Sequence, residues 1–264
     1  MLLAIDVGNS HIMLGLVMGH TVHQHWRIGT DANRTADEYG VLLDGLLRTS
    51  SIDRNRVGAA AIASVVPPLT EPLRQSVERY VGCPVLVLNR HDLPAIEVRV
   101  DEPDSVGIDR LVNLVAARRR SAAPLVVVDF GTATTFDAMS SDGAFVGGAI
   151  SPGIGIAADA LVQNTALLPR FPMTAPASAI GVNTMTNLQS GLIFGYAGLV
   201  DGIVGRFIHE LGGCQTVIAT GGLAEVVAPH STTIRDVAPL LTLEGIAAVY
   251  EHTSRCVANE SSLA

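Results

Sequence analysis

The chain has 264 residues, of which 48% are hydrophobic and 16% charged, and this composition predicts a folded globular protein with an ample core. Such a length is long for one core and favours two domains of ordinary size. The formal net charge of −8, with residues 118–120 as the single basic cluster, argues against a nucleic-acid partner. All 17 positively charged residues are arginines. A chain without lysine cannot build a Walker A phosphate loop, a protein-kinase-type site or a Schiff base.

The cysteines and the amino-terminal region indicate the compartment. Cys83, Cys214 and Cys256 are far apart and include no Cys-x-x-Cys pair, which argues against a disulfide framework and against a zinc site. Met1 is followed directly by a core-like strand instead of a signal peptide, and we identify no apolar run of membrane-spanning length. The sequence therefore predicts a cytoplasmic protein that does not bind a membrane.

The first half of the chain is predicted to begin with antiparallel strands and to continue with βαβ units. Residues 2–7 form an apolar strand, and residues 12–17 return beside it as a hairpin. Thr35 and Glu38 resemble a capping box at the start of a helix. The further elements predicted in this half are a strand at 26–28, the capped helix at 35–47, a buried strand at 57–66, a helix at 69–80 and a strand at 85–88.

The second half is predicted to repeat this opening after a helix that starts at Asp109. The elements predicted here are strands at 125–128, 134–139, 145–150 and 217–219, an Ala-rich helix after Gly153 and a long helix rich in small residues from about 184 to 211. A polar turn at 121–124 suggests the boundary between the halves. We therefore expect an N-terminal half at 1–121, a C-terminal half at 122–253 and a flexible tail at 254–264.

Two similar loops carry the most informative chemistry. A strand runs into Asp6-Val7-Gly8-Asn9-Ser10 in the first half and into Asp129-Phe130-Gly131-Thr132-Ala133 in the second. Each loop would bring a carboxylate, backbone N–H groups and short polar side chains to one point, which suits a phosphate and its cation. One such loop alone is also an ordinary hairpin turn, but its repetition makes coincidence a poor explanation. The two loops predict a nucleotide held between duplicated halves.

These loops, together with Thr220-Gly221-Gly222, resemble the two phosphate loops and the adenosine loop of the acetate kinase, sugar kinase, Hsp70 and actin superfamily. The resemblance is closest to the type III pantothenate kinase family, whose signature segments are similar to residues 107–110, 147–153 and 181–184. It implies an α/β fold of two duplicated ribonuclease-H-like (actin-like ATPase) domains. Each domain would be a mixed sheet flanked by helices, with a cleft between the two.

The resemblance also implies the activity, which is ATP-dependent phosphorylation of pantothenate in the first step of coenzyme A biosynthesis. Asp109 would be the catalytic base, although an acid in the first turn of a helix also simply complements the helix dipole. Arg110 would hold an anionic acceptor, unless it forms only an intramolecular ion pair. The implied ATP-binding residues are Asp6, Gly8, Asn9, Ser10, Gly131, Thr132, Gly221 and Gly222, and the implied substrate-binding residues are Val100, Gly107, Ile108, Asp109, Arg110 and Thr184.

The family further implies a Mg²⁺ ion, carried by ATP and organised by Asp6, and a monovalent cation, K⁺ or NH4⁺, at Asp129. It also implies a homodimer, which the Gly-rich helix after Thr184 favours. Three positions depart from the family pattern: Val182 replaces a common lysine, Glu102 a common asparagine and Val100 a frequent tyrosine. Two alternatives therefore stay open, namely a kinase of the same fold acting on another hydroxylated acceptor such as a nucleoside or a polyol, and a catalytically silent regulatory member.

Overall fold

The computed structural model describes residues 1–94, 96–165 and 168–261 and divides the chain into two compact units. Unit 1 consists of residues 1–96, 102–116 and 241–264, and unit 2 of residues 97–101 and 117–240. This division differs from the predicted halves in three places. The segments 97–101 and 117–121 belong to unit 2, and the C-terminal segment from residue 241 returns to unit 1.

Unit 1 is built on a mixed sheet of five strands. They are β1 (Leu2–Val7), β2 (His11–Met18), β3 (Thr21–Gly29), β4 (Ala59–Ser64) and β5 (Val85–Val87), in the spatial order β3-β2-β1-β4-β5. Strand β1 pairs antiparallel with β2 and parallel with β4. The carboxyl ends of β1 and β4 therefore lie side by side at one edge of the sheet.

Two helices, α1 (Ala36–Thr49) and α2 (Pro67–Ser76), share a hydrophobic core with this sheet. The predicted capping box is confirmed, since Thr35 accepts from the Glu38 N–H while the Glu38 side chain accepts from the Thr35 N–H. A π-helical turn at Val77–Val81 extends α2. The next helix, α3 (Ile108–Arg120), starts in unit 1 and ends in unit 2.

Unit 2 repeats the architecture of unit 1. Its strands are β6 (Leu125–Phe130), β7 (Ala133–Met139), β8 (Phe145–Pro152), β9 (Thr216–Thr220) and β10 (Asp236–Val237), in the spatial order β10-β9-β6-β7-β8. Read from the other edge, this is the order of the first sheet, with β6 in the place of β1. Helices α4 (Ile154–Gln163), α5 (Thr184–Glu210) and α6 (Ala224–Val227) accompany it. The predicted duplication of a mixed, helix-flanked sheet is confirmed.

The last helix, α7 (Leu241–Ser261), was not among the predicted elements. It lies against β1, β2 and β4 within unit 1, and a Cβ on Gly15 of β2 would approach Leu243 to 2.7 Å. The backbone of residues 254–261, where the sequence suggested a tail, is helical, and residues 262–264 lie outside the described residues. Residues 254–256, at the start of this polar segment, are exposed.

Helix α5 is long and apolar enough to cross a membrane, judged by length and composition alone, contrary to the expectation that no apolar run reaches that length. Its buried face contributes Leu192, Tyr196 and Val200 to the core of unit 2. A core helix satisfies the same two criteria, and 33% of the apolar stretch of α5 is buried.

Candidate active site

The first predicted phosphate loop joins β1 to β2 within unit 1. The Gly8 N–H donates to the His11 carbonyl at 3.1 Å and closes the turn. Thr30, just beyond β3, supports the loop from the side, because its hydroxyl donates to the Gly8 carbonyl at 2.6 Å and its N–H to the Ser10 carbonyl at 3.1 Å. Asn9 and Ser10 are exposed. No motif indicated Thr30, whose contribution depends on how the third strand ends.

The second loop occupies the corresponding place in unit 2 but is one residue shorter. The Gly131 N–H donates to the Ala133 carbonyl, two residues on, at 3.1 Å, whereas the Gly8 N–H reaches the carbonyl three residues on. The end of β8 packs directly on it, since the Gly153 N–H donates to the Thr132 carbonyl at 3.1 Å and a Cβ on Gly153 would approach the Gly131 carbonyl oxygen to 2.6 Å. Only glycine fits at position 153. This requirement explains why the signature segment 147–153 ends in Gly153.

The predicted adenosine loop lies beside Asp129. Strands β6 and β9 are parallel neighbours and pair Asp129 with Thr220, so the residue that follows Thr220 reaches the Asp129 loop. Gly221 has φ +89°, and a Cβ there would overlap the Asp129 carboxylate and lie 2.6 Å from the Phe130 carbonyl carbon. Gly222 is exposed next to it. Unit 2 thus brings together the predicted ATP-binding glycines and the predicted cation ligand.

Asp109 and Asp6 lie at the same edge of the unit 1 sheet. The Val65 N–H, just after β4, donates to the carbonyl of Val7, the residue after Asp6, at 3.1 Å. A Cβ on Gly107 would lie 3.5 Å from Val65 Cγ1 and would overlap the Asp109 carboxylate. The start of α3 therefore rests on the carboxyl ends of β1 and β4. Gly107 leaves the space that the Asp109 side chain uses.

The environment of Asp109 favours a proton acceptor. Burial raises the pKa of its carboxyl above the ordinary range, while the Arg110 N–H, donating at 2.9 Å, and the Arg110 charge act in the opposite direction. A carboxylate with a raised pKa is a stronger base than a solvated one. Ile108 and Arg110 flank it in the first turn of α3.

The remaining predicted acceptor residues belong to unit 2. Val100 lies in the segment that runs along β8, held by hydrogen bonds from the Arg99 N–H to the Phe145 carbonyl at 2.8 Å and from the Phe145 N–H to the Glu97 carbonyl at 2.9 Å. Thr184 is the first residue of α5, which Asn183 caps by accepting from the Thr186 N–H. Thr184 thus lies on a helix, whereas Val100 lies at a bend just after the isolated bridge between Val98 and Phe145.

The oxygen ligands of these loops fit hard cations such as Mg²⁺ and K⁺. In the part of the chain that the structure describes, no group of three or more His, Cys, Asp or Glu side chains could hold a metal ion. A Mg²⁺ ion at Asp6 would consequently complete its shell with phosphate oxygens and water, which is how Mg²⁺ usually binds with nucleotides. The donor set fits an ion that arrives with ATP.

Comparisons with known proteins agree with this geometry. A family model described as type III pantothenate kinase matches residues 2–206. A protein from Moorella thermoacetica named type III pantothenate kinase is 45% identical over 254 residues, which cover 96% of this chain and 100% of that protein. Among solved structures, a conserved Baf family protein from Campylobacter jejuni has a TM-score of 0.61 at 20% identity and covers 96% of this chain and 99% of its own.

A protein from Sinorhizobium meliloti named as a 2-dehydro-3-deoxygalactonokinase has a TM-score of 0.53 at 16% identity, with 97% of both chains covered. At these low identities the two solved structures show the shared fold, and they confirm the predicted pair of ribonuclease-H-like domains. The family model and the 45% identical relative show the family as well as the fold. The chain belongs to the type III pantothenate kinase family.

Proposed function

We propose that this protein transfers the γ-phosphoryl group of ATP to the terminal hydroxyl of pantothenate and so starts coenzyme A biosynthesis. The match to proteins named type III pantothenate kinase over almost the full chain supports this activity. One structural observation carries the chemistry. Asp109, with a raised pKa, lies at the same sheet edge as the phosphate loop of Asp6.

In the proposed reaction, Asp109 accepts the proton of the acceptor hydroxyl as its oxygen bonds to the γ-phosphorus. The bond from that phosphorus to the bridging oxygen breaks, and ADP leaves. Arg110 and Thr184 hold the acceptor, with the guanidinium paired to the pantothenate carboxylate. Val100, Gly107 and Ile108 complete the acceptor contacts.

The ATP phosphates are proposed to bind the turn residues of both loops. Gly8, Asn9 and Ser10 would offer donors in unit 1, and Gly131, Thr132, Gly221 and Gly222 would do so in unit 2. Backbone donors of this kind can replace the lysine that the chain lacks. Mg²⁺ would be oriented by Asp6 and would neutralise charge on the transferred group.

A monovalent cation, K⁺ or NH4⁺, is proposed to bind at Asp129. The close packing of Gly221 against this carboxylate supports the site, because peptide carbonyls nearby could complete an oxygen shell. Such a cation would supply positive charge near the phosphates in a chain without lysine. Activity that is unchanged when Na⁺ replaces K⁺ and NH4⁺ would reject this part of the proposal.

We also propose a homodimer in which α5 contacts its counterpart. Five glycines on this helix, spaced alternately by four and three residues, recur on one side: Gly191, Gly195, Gly198, Gly202 and Gly205. A Cβ would meet nothing within 4 Å at Gly191, Gly195, Gly198 or Gly205. Each glycine costs a helix about 1 kcal/mol relative to alanine, so close approach of a second helix gives a reason for the series. We place this homodimer in the cytoplasm, without nucleic-acid or membrane partners.

The test is ADP release, measured in K⁺ buffer with Mg·ATP, in the presence and absence of pantothenate. Release that depends on pantothenate and yields 4'-phosphopantothenate supports the proposal. A panel of polyols and nucleosides separates the alternatives, which stay open because Val182, one of the three departures from the expected family pattern, is 89% exposed and offers no positive charge to an anionic acceptor. Turnover of another acceptor without turnover of pantothenate would reject the assignment, and no turnover of any acceptor would favour a silent member.

A further inference from the structure

Asp201 is the single charged residue among the first 22 residues of α5, and its carboxylate binds three consecutive residues. Ser231 Oγ donates to Oδ1 at 2.6 Å. The Thr232 N–H and hydroxyl donate to Oδ2 at 2.8 and 2.7 Å. The Thr233 N–H and hydroxyl donate to Oδ1 at 3.1 and 2.8 Å. We call this arrangement the Asp201 clamp.

The Asp201 carboxylate in the clamp is ionised at neutral pH. Partial burial alone would raise the pKa of Asp201, but the hydrogen bonds from Ser231, Thr232 and Thr233 outweigh burial and hold the pKa at about 2. Hydrogen bonds to an ionised acceptor are the stronger kind. A second contact joins the same two elements, because the ring of Phe194 on α5 meets His230 edge-on, with centroids 5.0 Å apart.

The clamp lies at the far end of the segment that begins with the adenosine loop. Gly221 is fixed at the near end by its close approach to Asp129 and Phe130. From there the chain passes through α6 and a 3-10 turn at Ala228–His230 before it reaches the clamped residues and β10. Residues 221–233 are thus held at both ends, and between these ends Ala224 and Val227 of the single-turn helix α6 are buried in the core of unit 2.

We infer that Asp201 is a positioning residue for nucleotide binding, which holds the Gly221–Gly222 loop in place through α6. The inference rests on the proposed function only in assigning Gly221 and Gly222 to ATP. Asp201 itself touches no reacting group. Its loss should therefore weaken nucleotide binding and leave the acceptor contacts at Arg110 unaffected.

The experiment compares Asp201→Ala and Asp201→Asn with wild type, and uses Asp159→Ala, an exposed aspartate of α4 in the same unit, as the matched control. Isothermal titration with Mg·ADP measures nucleotide affinity without an acceptor. Steady-state kinetics measure KM for ATP and for pantothenate. Circular dichroism melting records the stability of each variant.

For Asp201→Ala we expect the Kd for Mg·ADP and the KM for ATP to rise about ten-fold, the size of effect that loss of one or two charge-assisted hydrogen bonds produces. The KM for pantothenate should stay within about two-fold, and Asp159→Ala should behave as wild type. Asp201→Asn should show a smaller rise, since it keeps one acceptor oxygen but places an NH2 group opposite the Thr232 N–H.

Unchanged Mg·ADP affinity in a folded variant that merely melts at a lower temperature would overturn the inference, and so would an equal rise in both KM values. If Asp201→Ala does not fold, Ser231→Ala and Asp201→Asn decide the question by the same readouts. A wild-type protein that binds Mg·ADP but does not turn over pantothenate would reject the proposed acceptor, while the ADP titration would still decide the role of Asp201.

Discussion

Gly221→Ala is the most direct test of the proposed nucleotide loop in unit 2. At φ +89° a residue with a Cβ pays roughly 1–2 kcal/mol of conformational energy. The new Cβ would also lie 2.6 Å from the Phe130 carbonyl carbon, whereas ordinary contacts begin at 3.4 Å. Because the atom in the way belongs to the backbone, no rotamer change relieves the overlap. The loop must therefore move by about 1 Å away from Asp129.

A displacement of about 1 Å at a catalytic loop can cost about 100-fold in turnover. We therefore expect kcat/KM for ATP to fall by about two orders of magnitude in Gly221→Ala. The melting temperature should fall by about 3–6 °C, from the conformational cost alone. Coupled kinetics with varied ATP and a thermal melt measure the two effects separately.

Two further variants make the Gly221 result interpretable. An asparagine at position 221 adopts the left-handed conformation more readily than an alanine, but its Cβ makes the same overlap with the Phe130 backbone. Gly221→Asn should therefore be no more active than Gly221→Ala. Gly45→Ala in α1 has open space around its Cβ and should be active and slightly more stable. If Gly221→Ala retained wild-type kcat/KM for ATP, then the loop would not touch the nucleotide and the site assignment in unit 2 would be wrong.

Asp109→Asn should abolish phosphoryl transfer while Mg·ADP still binds. In the wild type, the rate of transfer should fall as the pH decreases through the raised pKa of Asp109, because only the ionised carboxylate is a base. A raised pKa means that ionisation of Asp109 destabilises the folded state. Asp109→Asn should therefore have a higher melting temperature than the wild type at pH 8, and the difference in melting temperature should vanish towards pH 4. A lower melting temperature of the variant at pH 8 would contradict this interpretation. Gly245→Val should destabilise the protein strongly and lower turnover, because a Cβ at Gly245 of α7 would lie 2.7 Å from the Val112 carbonyl carbon of α3. Thermal melting of this variant, compared with Gly45→Ala, tests the expected loss of stability. Gly198→Leu should shift the mass measured by light scattering from dimer to monomer, and an unchanged dimer would exclude the glycine face of α5 from the interface.

The sequence predicted the duplicated sheets well because their central strands carry local signals. Short continuous apolar runs, Asp-x-Gly turns and the Thr35 capping box can each be recognised within a few residues. Strand β10 and helix α6 were missed, since two paired residues and a single helical turn leave no periodic pattern. Helix α7 was missed because it packs on strands β1, β2 and β4 within the first 64 residues of the chain, and a local sequence pattern does not show such distant contacts.

Sequence motifs predicted the positions of the candidate site residues along the chain. The positions of Asp6, Asp129 and Gly221 follow from strand ends, and the start of α3 near Asp109 follows from the helical pattern. The contacts that fix them were not predictable. The Thr30 support of the first loop and the Asp201 clamp join residues that are 22 and 30 positions apart and belong to no motif, so only the folded chain reveals them.

The return of α7 to the first unit affects how the chain matures during translation. Residues 241–261 cover the side of the sheet that contains Gly15 and hold α3 through Gly245, so a nascent chain that lacks them exposes part of an unfinished core. Most of unit 2, in contrast, is contiguous at 117–240. Although domains generally fold in order of synthesis, here residues 1–96 complete their unit only after residues 241–261, which follow unit 2 in the chain, have been made.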